Sequence, residues 1–370
     1  MRNISDVQVL SAADTSYRGG SDVVQDLVVV SVQDEGGRRG VGESQSSPAI
    51  LAAVMGAPAS RILQRRLPEI VQGRDPADWE SVLDEVLAIT RVIGREGVVA
   101  HAVGALEIAM LDLQGQQAGK PFWQLINVHA QPAPMGPEAY GTAWYSNTQG
   151  ALDGLIEKMQ RSSLCGLKLA YDKVLPSVAE ERAALARLRQ ELGASIRLFV
   201  DWQTRGTVGD FWERIDNYVD ANIEWIEEPF DRDNLRDYGQ IAGRSPVRLA
   251  AGESETRLIG FRAFADAGVS VLQPDLGRCG LRVAGQVAEM GRAENLVVVP
   301  HQWGSDINLS ANLHWAIANR LPLLERRFEL SDLAERLGRC DLPMVNGRFL
   351  LPSGKGLGIE FNSEDWTRLA

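Results

Sequence analysis

The apolar positions change rhythm twice along the chain. Residues 1 to about 45 alternate in short β-branched runs. DLVVVSVQDEGGRRGVGES puts a run, an EGG turn and a second short run in succession, which predicts antiparallel strands. From 47 to about 126 the spacing turns helical: Ala102, Ala105, Leu106, Ala109, Met110 and Leu113 recur three or four apart, and Gly119 with Pro121 marks a stop. From about 138 onward short apolar runs alternate with amphipathic segments such as SVAEERAALARLRQELG. EAYGTAWY, GLKLAY, IRLFVDW, IEWIEEP, VRLAAGES, VSVLQPDL, LVVVPHQW and LLERRF make eight runs, each followed by room for one helix. Eight such units predict a (β/α)8 barrel. Three parts result: an α+β unit over 1–126, a barrel over 127–345, and a segment over 346–370, NGRFLLPSGKGLGIEF and beyond, that returns to pack on the first unit.

Charge clusters at the C-terminal ends of the runs, at Lys168, Asp201, Glu227, Glu253, Asp275, His301 and Glu325. The C-terminal mouth of a barrel is where active sites form, so these side chains are expected to converge. Taken singly, Asp201 or Asp275 reads as a helix N-cap and His301 as a core histidine. Caps alone do not account for all seven in register. Asp201, Glu227 and Glu253, one β/α unit apart, would crowd three carboxylates into one volume and repel unless a cation lies among them. Oxygen-only ligands suit Mg2+. In IEEP, Glu227 would then be a ligand and Glu228 would support it by a hydrogen bond or ion pair.

Composition narrows the setting. The chain is 45% hydrophobic with a formal net charge of -11, which supports a buried core and disfavours nucleic acid as a partner. MRNISDVQVL has no basic-then-apolar leader, and no apolar run approaches the ~18–20 residues that span a bilayer, so a cytoplasmic protein without membrane contact is expected. Cys165, Cys279 and Cys340 are too few and too far apart for a disulfide or zinc framework and read as core residues.

The ordered set Lys168, Asp201, Glu227 in IEEP, Glu253 in GES, Asp275 in QPDLGRCG, His301 in VPHQW and Glu325 in LLER resembles the enolase superfamily, in its mandelate racemase subgroup. The resemblance extends to GVGES and LEIAMLDLQGQQAGKP and implies a modified (β/α)7β TIM barrel under an α+β N-terminal capping domain. It implies abstraction of the proton α to a carboxylate with Mg2+ stabilising the enediolate. Lys168 and His301 would face two sides of the α-carbon. Asp275 would orient the imidazole, and Glu325, protonated, would donate to a carboxylate oxygen. Tyr140, Thr142, Gln203, Arg278 and Trp303 are the substrate-binding candidates, with Tyr140 equally suited to the core and Arg278 to a loop salt bridge. The subgroup's Lys-x-Lys is represented by Gly166-Leu167-Lys168, so a lysine is missing, and Lys168 must owe any depressed pKa to Mg2+ and burial. The resemblance also implies a homo-oligomer.

Dehydration of a small acid sugar to a 2-keto-3-deoxy acid fits these residues first, and GRCG supports it. Racemisation or epimerisation needs two competent bases and is the alternative; a barrel that binds metal and carboxylate without turnover comes third. Substrate choice would lie in cap loops around Tyr17 to Asp26 and Pro48 to Val54, where the polar YRGGSD suits a hydroxylated ligand.

Overall fold

The N-terminal runs form the antiparallel strands β1 (Ile4–Asp14), β2 (Gln25–Asp34) and β3 (Arg39–Ser44). The computed structural model describes residues 2–14, 25–127, 133, 135–145, 150–172, 174–328 and 332–370, so most of the first expected substrate loop, 17–26, lies outside the described residues. Alternate residues Val28, Val30 and Val32 turn one face of this sheet into a core shared with Ala102, Leu106, Ala109 and Met110 of the helix Val98–Ala118. That helix ends at Gly119 in the left-handed conformation. It is long and apolar enough to cross a membrane, with a mean hydropathy of 1.3, which corrects the expectation that no such run exists. Its burial between the cap sheet and the barrel helix Leu276–Glu294 accounts for that composition. The two helices touch backbone to backbone: a Cβ on Gly104 would lie 2.9 Å from the Gly280 Cα. Gly280 kinks its helix at φ +75, and a side chain there would strike Glu107.

The eight later runs fall on eight strands, β4 (Glu138–Tyr145), β5 (Gly166–Tyr171), β6 (Arg197–Asp201), β7 (Ile223–Glu227), β8 (Arg248–Ala251), β9 (Val271–Leu272), β10 (Val297–Val298) and β11 (Leu323–Arg327). They pair in parallel in sequence order from β4 to β10, and β11 returns to pair with β4. A helix follows each of the first seven, whereas β11 is followed by the five-residue helix Asp332–Arg336, so the barrel is (β/α)7β. The C-terminal segment first lays Arg348–Phe349 beside β4, then adds Thr367–Arg368 to the cap sheet as an edge strand against β1.

The barrel floor explains where the polar groups must sit. Tyr140, Phe199, Trp225, Val271, Val299 and Leu323 form one buried cluster inside the strands. Side chains on a strand repeat by two, so the next inward positions are Thr142, Asp201, Glu227, Gln273, His301 and Glu325. Apolar packing below thus raises a polar layer above it.

Glu107 docks the cap on the barrel. Its carboxylate accepts from Leu281 N at 2.6 Å and Arg282 N at 3.4 Å. Burial outweighs these donors and pushes its pKa up from 4.5 to about 7. The folded chain therefore holds this proton more tightly than the unfolded chain, and stability falls as pH rises from about 4.5 to about 7. Glu107→Gln lacks this dependence. Across that window its stability relative to the parent is expected to improve by on the order of 3 kcal/mol. Denaturant unfolding at several pH values measures it; a constant difference would contradict the assignment.

Candidate active site

Asp201 and Glu227 end β6 and β7, while Glu253 lies in the turn two residues past β8. One carboxylate oxygen from each lies within 4.8 Å of the others. The backbone around them is unusual: Gln203, Thr204 and Glu228 all have positive φ, at 52, 63 and 36 degrees. Thr204 N donates to Glu228 O at 2.8 Å, locking the two strand ends together. Such conformations cost on the order of 1 kcal/mol or more each and persist because neighbouring contacts hold them.

The three carboxylates differ in their surroundings. Burial, then repulsion from Glu227, pushes the Asp201 carboxyl well up; Glu227 is also raised, because burial, Glu325 and Glu253 outweigh Lys168. Burial would raise Glu253 too, but His301, Arg278 and Lys168 bring it down to about 2. Two buried oxygen donors that repel each other, beside a third that is ionised, fit a hard divalent cation in both charge and donor type. Glu228, the expected supporting residue, is buried beside them, and its Oε1 accepts from Gly252 N at 3.4 Å. Burial and the neighbouring Glu253 and Glu227 push its pKa up to about 8.

His301 Nδ1 lies 2.8 Å from Asp275 Oδ2. A carboxylate can only accept, so Nδ1 carries a proton, and Nε2 faces the cavity 3.4 Å from Glu253 Oε2. Asp275 is also the N-cap of the helix Leu276–Glu294, its Oδ1 accepting from Gly277 N at 2.8 Å. The cap and the histidine partner, alternatives in the sequence, are thus one residue using two oxygens. Burial would lower the His301 pKa, but Glu253, the Asp275 hydrogen bond and Glu325 push it up to about 9.

The Lys168 ammonium pairs with Glu227, with Glu325 at 2.7 Å and with Asp201 at 3.7 Å. Burial would lower its pKa, but Glu227 and Glu325 outweigh burial and hold it well above the usual lysine value with no cation among the carboxylates. Glu325 accepts from the Thr142 hydroxyl and from Gln302 N at 3.1 Å and pairs with Lys168. Tyr140 takes the core alternative. It is fully buried in the floor against Phe199 and Trp225 and does not reach the cavity.

The cavity of about 150 Å³ is lined by Lys168, Asp201, Glu253, His301 and Glu325, together with Thr142, Gln203, Arg278 and Trp303. Gln203 Nε2 donates to Asp201 Oδ2 at 2.7 Å, and Arg278 bonds Glu253 at 3.1 Å, so the salt bridge and the place at the cavity belong to the same arginine. Sequence reasoning missed Trp144, Ala170 and Gln273. Gln273 donates to Glu227 Oε2 at 2.6 Å, and Trp225 Nε1 donates to the same oxygen at 3.2 Å.

The inward column of β5 sets which of its residues reach the cavity. On β5 the inward column is Gly166, Lys168, Ala170, in register with Tyr140, Thr142 and Trp144 of β4. Gly166 lies at floor level, where a Cβ would come within 2.8 Å of the Phe199 ring. Ala170 pairs with Asp201 and lines the cavity. Of this column, Lys168 and Ala170 line the cavity and Gly166 lies beneath it. Strand alternation, counted forward from Lys168, was the signal for this.

Capped (β/α)7β barrels with carboxylates at their mouth form the enolase class of folds. Residues 156–366 match the enolase C-terminal domain-like family, and residues 10–127 match the mandelate racemase / muconate lactonizing enzyme N-terminal domain. The chain belongs to the enolase superfamily, in its mandelate racemase subgroup. It is 26% identical to a D-galactarolactone cycloisomerase of Agrobacterium fabrum, over 92% of this chain and 90% of the relative. It is 25% identical to an L-rhamnonate dehydratase of Saccharopolyspora erythraea, over 91% and 83%. The crystal structure of 3,6-anhydro-D-galactonate cycloisomerase from Zobellia galactanivorans superposes with a TM-score of 0.86 at 21% identity, covering 98% of this chain and 97% of that one.

Proposed function

We propose that the protein removes the proton α to the carboxylate of a sugar acid and expels the oxygen on the β-carbon, giving a 2-keto-3-deoxy acid as an acid sugar dehydratase does. The observation that carries this reading is the β5 column. Alanine at 170 has no proton chemistry, whereas His301 stands at the cavity with Nε2 facing it and Asp275 behind it, so His301 is assigned the proton transfer. Racemisation needs a base on each face; elimination needs only one.

Asp201, Glu227 and Glu253 would hold Mg2+, which when bound supplies charge neutralisation at the substrate carboxylate. The chain's own residues do the rest. His301 Nε2 takes the α-proton, and the imidazolium is stabilised by Asp275 and Glu253. The same Nε2–H then delivers that proton to the departing β-oxygen, which leaves as water, and the enol tautomerises to the ketone. Lys168 contributes fixed positive charge beside the carboxylate, and Thr142 holds Glu325 in place.

A second reading follows from the aromatic corner. Trp144 and Trp303 meet edge to face at 5.3 Å, and Arg327 lies 4.3 Å over the Trp303 ring while donating to its carbonyl at 3.0 Å. Rigid aromatic faces suit the C–H side of a sugar ring. If the β-oxygen belongs to a lactone or anhydro ring, the same elimination opens the ring and no water is lost. The protein, incubated in D2O with linear sugar acids, their lactones and anhydro acids, is expected to exchange the α-proton and form a keto acid. Mass spectrometry then separates loss of one water from an isomer. Inversion at the α-carbon with no keto product would overturn elimination.

A further inference from the structure

We infer that Glu43, on the cap strand β3, is a positioning residue for the His301–Asp275 pair; the inference rests on the elimination reading only for its kinetic consequence. Three buried cap carboxylates accept backbone N–H groups from other parts of the chain. Asp112 takes Val41 N at 3.0 Å and Leu357 N at 2.8 Å, and Glu107 takes Leu281 N and Arg282 N. Neither connects further to the proton-transfer pair.

Glu43 does. It accepts from Ser305 N at 3.1 Å, Ser305 Oγ at 2.5 Å and Asn308 N at 3.2 Å, satisfying the first donors of the helix Asp306–Asn319. The Asn308 so fixed donates its side-chain Nδ2 to Asp275 Oδ1 at 3.2 Å. Two turns of the same helix are engaged, since Asn312 Nδ2 donates to the His301 carbonyl at 3.3 Å. From the cap side, Gln45 N donates to Gly277 O at 3.0 Å, two residues beyond Asp275. The end of β3 thus grips both segments that carry the pair. With Oδ1 taken by Gly277 N and Asn308, the Asp275 carboxylate presents Oδ2 to His301 in one orientation. Release of Asn308 frees that carboxylate to rotate and loosens the imidazole it holds.

The test uses the full chain labelled with 15N-histidine, in which four imidazoles are present. Glu43→Ala and Asn308→Ala are expected to move or broaden the His301 Nδ1–H resonance in the resting protein. They are also expected to lower kcat for α-proton exchange by about 10- to 100-fold with little change in KM. Glu43→Gln, which keeps an acceptor oxygen, recovers most of both. Glu107→Gln and Asp112→Asn, which alter cap docking alone, leave the resonance in place. An unmoved resonance in Asn308→Ala, or an equal displacement in Glu107→Gln, overturns the inference. Should Glu43→Ala not fold, Asn308→Ala decides alone, because it preserves every contact of Glu43. Failure of the elimination reading would appear separately, as no exchange by the parent protein with any sugar acid while the resonance comparison still reads out.

Discussion

Replacing His301 by asparagine is expected to stop exchange of the α-proton with solvent, and with it all keto-acid product, a loss of roughly 10²- to 10⁴-fold or more. Asparagine can fill part of the imidazole's space and bond Asp275, so the fold should tolerate it, but it has no group that cycles a proton near neutral pH. The magnitude is large because the other lining groups offer no substitute. Lys168 is paired with Glu227 and Glu325, and alanine occupies 170. Asp275→Asn should be severe but incomplete: an amide can present a donor to Nδ1, favouring the tautomer whose Nε2 carries hydrogen and cannot accept the α-proton. Deuterium incorporation followed by NMR measures both. Parent-like exchange in His301→Asn would move the base elsewhere.

Glu227→Gln is expected to weaken Mg2+ binding by more than about 100-fold and to abolish turnover at ordinary Mg2+ concentrations. Glu227 is fully buried, and its Oε2 is already committed to Gln273 and Trp225, which leaves Oε1 for Lys168 and a cation. The amide removes one of three negative charges and also turns an NH2 group toward either those donors or the ammonium. Calorimetry reads the affinity directly. A readout independent of turnover is the rise in Tm on adding Mg2+, expected in the parent and lost in the variant. The parent should fall silent in excess chelator and recover with Mg2+. Full activity in chelator would remove the metal from the mechanism.

The barrel was legible because its eight runs carry the period-two signature and their spacing leaves room for one helix each. What periodicity could not supply was the difference between the eighth unit and the others, since a five-residue helix after β11 leaves little mark on a pattern read in whole turns. The mouth residues were legible as charges at strand ends. Their depth was not: Gly166, Lys168 and Ala170 share a face, and only the register with Tyr140, Thr142 and Trp144 says that Gly166 lies on the floor while Lys168 and Ala170 reach the cavity. Gln273 and Trp144 escaped for a related reason. An uncharged amide or an indole at a strand end looks like ordinary core until the partner, Glu227 or Trp303, is known to be within reach. Glu43 sat in view within GVGES, yet its partner lies 262 residues away in sequence.

The edge strand Thr367–Arg368 has a consequence for how the chain assembles. Ala370 O accepts from Val9 N at 2.8 Å, so the cap sheet draws on segments from both sides of the barrel and the whole barrel is threaded between its third strand and its fourth. A chain emerging from its N-terminus can pair β1 to β3 early, but one edge of β1 stays open until the barrel has been made. Thr367–Arg368 closes that edge as a latch drawn from the far side of the barrel. Loosening the barrel later pulls on that latch, which ties the opening of the cap to the integrity of the strands that carry the proton-transfer pair.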